Sequence, residues 1–237
     1  MPVRRTSAPA AILVPLLVLV LAVLLWRALS GPAPGGPAGT SDPGGRAAPT
    51  GGAAQALRAL PVREADTGAG YQRTRFGESW ADVDGNGCRT RDDVLRRDLE
   101  DVRLDGDGCT VLSGTLDDPY SGREIPFRRG PATSSDVQVD HVVALAAAWR
   151  TGARAWSAEE RVEFANDPLE LLAVDGPLNS AKGDDDASQW LPPLGACEYV
   201  ARQVAVKSAW GLWVTPAERT AMADVLAGCP GQELPAR

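Results

Sequence analysis

A chain of 237 residues with a formal net charge of −7 is one domain, or one domain plus accessories. Arg4, Arg5, Arg27 and Arg46 against Asp42 give the first 56 residues a net charge of +3, which leaves −10 on the remainder. That acidic balance excludes a polyanion binder working through bulk charge, so any grip on phosphate must come from local arginines and a metal, with strong salt dependence.

At the N-terminus, Arg4 and Arg5 precede an uncharged, Leu- and Val-rich run from Ala8 to Trp26, the layout of an export signal. The run is long for a cleaved signal and slightly short for a membrane span of about 20 residues. Residues 1–30 therefore read as a signal peptide cleaved after Ser30, or as an uncleaved membrane anchor with its arginines in the cytoplasm. Both place the rest of the chain outside the cytoplasm, secreted or tethered to the outer face of the membrane. Residues 31–56 are rich in Gly, Pro, Ala, Ser and Thr and predict a disordered tether. The folded domain is expected over 57–237.

All four cysteines follow the export segment. Of the three possible pairings, Cys88–Cys109 and Cys197–Cys229 each close a short loop within one half of the domain. No Cys-x-x-Cys pair suggests zinc. Asp82, Asp84 and Asn86 stand in a stretch that resembles the start of an EF-hand calcium loop, with Asp93 at its twelfth position. Against this, Arg89 stands where an apolar residue usually packs, and Asp replaces the usual Glu; the other reading is an acidic turn pinned by Cys88.

Short strands are predicted at 137–143 and 171–174. Ser157 with Glu160 marks a capping box opening a helix through Phe164. Glu198 to Trp210 has helical composition, and Thr215-Pro216 with Glu218 opens a last helix to about Leu226. Beyond the export segment, the tryptophans Trp80, Trp149, Trp156, Trp190, Trp210 and Trp213 are expected mostly in the core, with Trp190 closing over a helix. The pattern is α+β with little sheet and a mostly helical C-terminal half.

The chemistry concentrates between Val137 and Pro193. Hydrolysis of a phosphodiester needs a base for water, and a neutral imidazole serves near pH 7. It also needs positive charge for the phosphate and leaving oxygens. Asp140, His141, Asn179 and Lys182 supply such a set, and no Gly-x-Ser-x-Gly elbow argues for a serine hydrolase. The segment VQVDHVV, LLAV, NSAK resembles the His-Asn-His (ββα-metal) nucleases, and most the C-terminal nuclease domain of GmrSD-type restriction enzymes, also found in small secreted bacterial proteins. The resemblance extends through FGESWADVDGNGC, DPYSG and WLPP, and covers about Tyr71 to Cys229.

The resemblance implies a small disulfide-bonded α+β domain containing a ββα-metal finger. It further implies an endonuclease hydrolysing DNA, with RNA the alternative, at little sequence preference. His141 would be the base, Asp140 and Asn179 the metal ligands, and Lys182 a phosphate contact. With oxygen ligands and the sole histidine reserved as base, Mg²⁺ or Mn²⁺ fits better than Zn²⁺. Arg123, Arg128 and Arg129 are candidate phosphate contacts; a plain solvated face is the alternative. One position departs from the pattern: Glu170 stands where the family has its middle Asn. A carboxylate near His141 would raise the imidazole pKa. Glu170 and the acidic balance leave a second reading, a calcium-dependent binding module that no longer cuts.

Overall fold

The computed structural model describes residues 50–131 and 133–235; the export segment and the expected tether up to residue 49 lie outside the described residues. The folded part begins before Leu57. Helix α1 (Gly52–Ala59) buries Ala53 and Ala54 together with Leu57. Its alanines are strong helix formers, and their small side chains let the helix sit close to the core, where composition alone suggested a tether.

A 3₁₀ turn (Arg73–Phe76) and helix α2 (Thr90–Asp98) follow. In α2 the acidic Asp92 and Asp93 lie in the first turn and Arg96 and Arg97 in the last, matching the helix dipole. Strands β1 (Leu99–Leu104), β2 (Val111–Asp117) and β3 (Glu124–Arg128) form an antiparallel three-stranded sheet in that order. The register slips in β1 between Glu100 and Arg103, where Asp101 takes a positive φ. This sheet is absent from the sequence expectation, because Gly114, Pro126 and the charged residues break the alternation that marks a strand.

A second, two-stranded sheet carries the site. Strand β4 (Val137–His141) pairs antiparallel with β5 (Leu171–Asp175), Val137 opposite Asp175 and His141 opposite Leu171. Between them lie α3 (Leu145–Arg150) and α4 (Ala158–Ala165), the latter opened by the expected Ser157–Glu160 capping box. Val137, Val139, Leu171 and Ala173 join Val94, Leu95, Leu116 and Phe127 in one apolar cluster, so the two sheets share a core.

Immediately after β5 comes α5 (Gly176–Lys182), capped by Asp175, whose carboxylate accepts from Leu178 N at 2.8 Å. A Cβ on Gly176 would lie 1.9 Å from the Ser135 carbonyl oxygen, so only glycine lets this helix start against the loop that feeds β4. Helices α6 (Ala196–Trp210) and α7 (Pro216–Ala227) complete the C-terminal half, and α1 packs on both. The expected disulfides are both present, Cys88–Cys109 and Cys197–Cys229. The second ties the first turn of α6 to the end of α7. Of the tryptophans among the described residues, Trp149 is buried and the others are partly exposed; Trp190 packs edge-on against Tyr120 and Tyr199. The chain is a mixed α/β domain with two disulfides. Among the described residues, no helix is long and apolar enough to cross a membrane.

Candidate active site

His141 ends β4, and its Nε2 lies 2.9 Å from the carbonyl oxygen of Ala165 at the end of α4. A carbonyl only accepts, so Nε2 carries the hydrogen and Nδ1 is left with its lone pair. The ring is 8% exposed and stacks on Trp80, centroids 5.9 Å apart and planes inclined by 20°. Trp80 holds a positive φ of 63°, a conformation unusual for a bulky residue and kept only where the surroundings enforce it. Burial, and after it the Arg73 guanidinium, pushes the His141 pKa down to about 3. The imidazole is therefore neutral at ordinary pH, the form able to take a proton.

Asp140 precedes it and points into the domain, 4% exposed. Its Oδ1 accepts from Lys182 Nζ at 2.8 Å and its Oδ2 from the Tyr120 hydroxyl at 2.7 Å. Burial raises its carboxyl pKa, and Lys182 and Tyr120 oppose that rise. Lys182, expected to touch phosphate, is instead buried, its ammonium donating also to the His141 carbonyl oxygen at 2.9 Å. Asn179 donates its Nδ2 to Gln138 Oε1 at 2.9 Å; among the described residues its Oδ1 has no hydrogen-bond partner. Arg73, Asp140, His141 and Asn179 line one concavity of about 170 Å³.

The donor set is compatible with a hard divalent ion. Asn179 offers an unengaged oxygen, and each Asp140 oxygen retains a lone pair after its one hydrogen bond. Mg²⁺ is commonly held by one or two protein oxygens, with water and substrate phosphate completing the shell. Lys182 works against such an ion, since its charge lies beside the same carboxylate. Among the described residues, no three His, Cys, Asp or Glu side chains group to hold a metal. The Asp82–Asn86 stretch closes on itself: Asp82 accepts from the backbone N–H of Gly85, Asn86 and Gly87, and Asp84 from Asn86 N and Nδ2.

Glu170 braces the segment after His141. Its backbone carbonyl accepts from Val142 N at 2.9 Å and its Oε2 from Val143 N at 3.2 Å, so Val143 supplies the donor that a carboxyl group requires. Burial pushes the carboxyl pKa well above its ordinary value of 4.5, which favours the neutral acid. Glu170 is not among the groups that shift His141, whose pKa is lowered by burial and Arg73 where an upward shift was expected. The stability that Glu170 contributes is full below the unfolded pKa and is lost as pH rises toward the folded one. A Glu170→Gln variant, which cannot ionise, should melt above the wild type at pH 8 and lose that advantage by pH 4.

The three arginines expected at phosphate lie elsewhere. Arg123 pairs with Asp175, the cap of α5. Arg129 pairs with Asp92 and donates to the Val111 carbonyl at 2.7 Å. Arg128 is exposed on β3. None of the three lines the His141 concavity. Arg73 does, and it was not singled out from the sequence. Nor were Tyr120 and Gln138, which hold Asp140 and Asn179; the only hint was that Trp80 and Tyr120 fall inside the stretches FGESW and DPYSG.

The model of the C-terminal domain of GmrSD restriction endonucleases matches residues 89–225. The chain belongs to this family. The matched segment holds β4, β5 and α5, and with them Asp140, His141, Asn179 and Lys182. An "Uncharacterized secreted protein" of Arthroderma benhamiae is 40% identical over 177 residues, 73% of this chain and 82% of that protein. No solved structure matches significantly. Arg73 and Trp80 precede the segment matched to the GmrSD C-terminal domain family, so that match says nothing of their part in the site.

Proposed function

We propose that this protein is an exported, metal-dependent endonuclease that hydrolyses DNA, with RNA the alternative substrate, through a ββα-metal finger made of β4, β5 and α5. The observation carrying the reading is an imidazole whose tautomer is fixed by the Ala165 carbonyl, sharing one concavity with Asp140 and Asn179. His141 Nδ1 takes a proton from the attacking water while Nε2–H keeps its bond to Ala165. Asp140 and Asn179 would hold one Mg²⁺ or Mn²⁺, which when bound neutralises charge on the phosphate and the departing oxygen. Lys182 and Tyr120 act as positioning residues, fixing the Asp140 carboxylate, and Gln138 does the same for Asn179. Arg4, Arg5 and the apolar run behind them, the two disulfides and the secreted relative all support export.

Plasmid DNA incubated with the oxidised full chain tests this. Nicking with Mg²⁺ or Mn²⁺ that EDTA stops is the expected result. Absence of cutting of DNA and RNA with either ion, from a folded protein, sinks the nuclease reading. It would favour the binding module, for which the acidic balance of the domain speaks.

A further inference from the structure

Arg73 stands where two concavities meet. It lines the one holding Asp140, His141 and Asn179, and also an adjoining groove of about 590 Å³ walled by Tyr71, Arg150 and Asp184. Ala144, Leu145 and Gly183 are common to both, so the two spaces share a floor. The arginines around it are already engaged: Arg75 lies over the Trp149 ring, Arg150 pairs with Asp184, and Arg161 holds the Arg75 carbonyl. Arg73 is exposed, and among the described residues it enters no ion pair; its partner is the Tyr71 hydroxyl.

Its base is nevertheless fixed. The 3₁₀ turn that begins at Arg73 ends at Phe76, 2% exposed, whose ring packs against Tyr71, Trp149 and Phe164 at 6.2 to 6.4 Å. A guanidinium bonded only to a neutral hydroxyl, on a rigid mount beside a candidate base and open to solvent, suits bidentate hydrogen bonding to a phosphate.

We propose that Arg73 holds the substrate phosphate, and that the nucleic-acid strand runs from the His141 concavity into the groove past Tyr71 and Arg150. This rests on the nuclease reading and adds to it a strand path and a phosphate ligand. The path differs from one over β3, where Arg128 lies exposed.

The test measures binding of a fluorescent oligonucleotide by the full chain across a salt series, in a His141→Ala background so that nothing is cut. Arg73→Ala should weaken binding about tenfold or more. It should also lower the slope of log affinity against log salt by about one. Arg73→Lys should keep the slope and lose part of the affinity, because charge remains while the fork is gone. A merely structural role would change affinity without changing the slope. Unchanged affinity and slope in Arg73→Ala, in a protein that binds, overturns the placement, as does a slope change confined to Arg128→Ala. If the His141→Ala background binds too weakly to read while wild type cuts, KM carries the same expectations. A wild type that neither binds nor cuts overturns the nuclease reading, and the strand path falls with it.

Discussion

Replacing Lys182 with methionine should destabilise the protein by about 3–5 kcal/mol at pH 7, because it strands a buried carboxylate without its cation. Asp140 has 4% of its surface exposed and Lys182 1%, so water cannot make good the loss. The ammonium also satisfies the His141 carbonyl, a second bond that methionine cannot replace. The variant should recover stability as pH falls and Asp140 protonates, which a simple packing defect would not do. Adding Asp140→Asn should restore much of the loss at pH 7, since a neutral amide no longer needs a counter-charge. Urea midpoints of the two single variants and the double variant close the cycle. An additive result would show that the pair is not coupled and would remove Lys182 from its positioning role.

Replacing His141 with alanine should lower kcat on plasmid DNA by about 10²–10⁴-fold, the contribution expected of a positioned general base. The same residue makes a separate prediction about acid stability, measured in EDTA so that no metal intervenes. Folded, its pKa is about 3 against an ordinary 6.5. Below pH 6.5 the unfolded chain takes up a proton that the folded chain refuses. Stability therefore falls as pH drops from 6.5 toward 3, by roughly 3 kcal/mol at pH 4.5. The His141→Ala protein lacks this group, so its stability should decline less steeply over that window, whatever its absolute value. Parallel curves for the two proteins would mean that the imidazole is not held neutral by burial.

What could be read from the sequence was local. Ser157 with Glu160 and Thr215 with Glu218 announce their helices because a cap and its partner are three residues apart, and both capping boxes form. The cysteine pairs close loops with sequence separations of 21 and 32, short enough for spacing to indicate the pairing. Asp140, His141 and Asn179 stand out by residue type and by the resemblance to the His-Asn-His nucleases, and the β4–β5–α5 arrangement gathers them in one concavity. The missed elements lacked a local signal: α1 was masked by small residues, and β1 to β3 by glycine, proline and charge.

Partners distant in the chain were beyond the reach of spacing. Whether Lys182 faces solvent or Asp140, 42 residues away, depends on how α5 lies over β4. Arg123 and Arg129 resemble phosphate ligands in sequence, yet Asp175 and Asp92, 52 and 37 residues distant, claim them once the sheets form. Arg73 and Trp80 reach the His141 site from 68 and 61 residues upstream. An exposed arginine and a tryptophan in a loop carry no mark of that destination. Residue types and order thus determined which groups could do chemistry; packing decided which are held in place, which are neutral and which are left open to a ligand. The physical reason is that desolvation and ion pairing act across space, among neighbours that only the folded chain brings together.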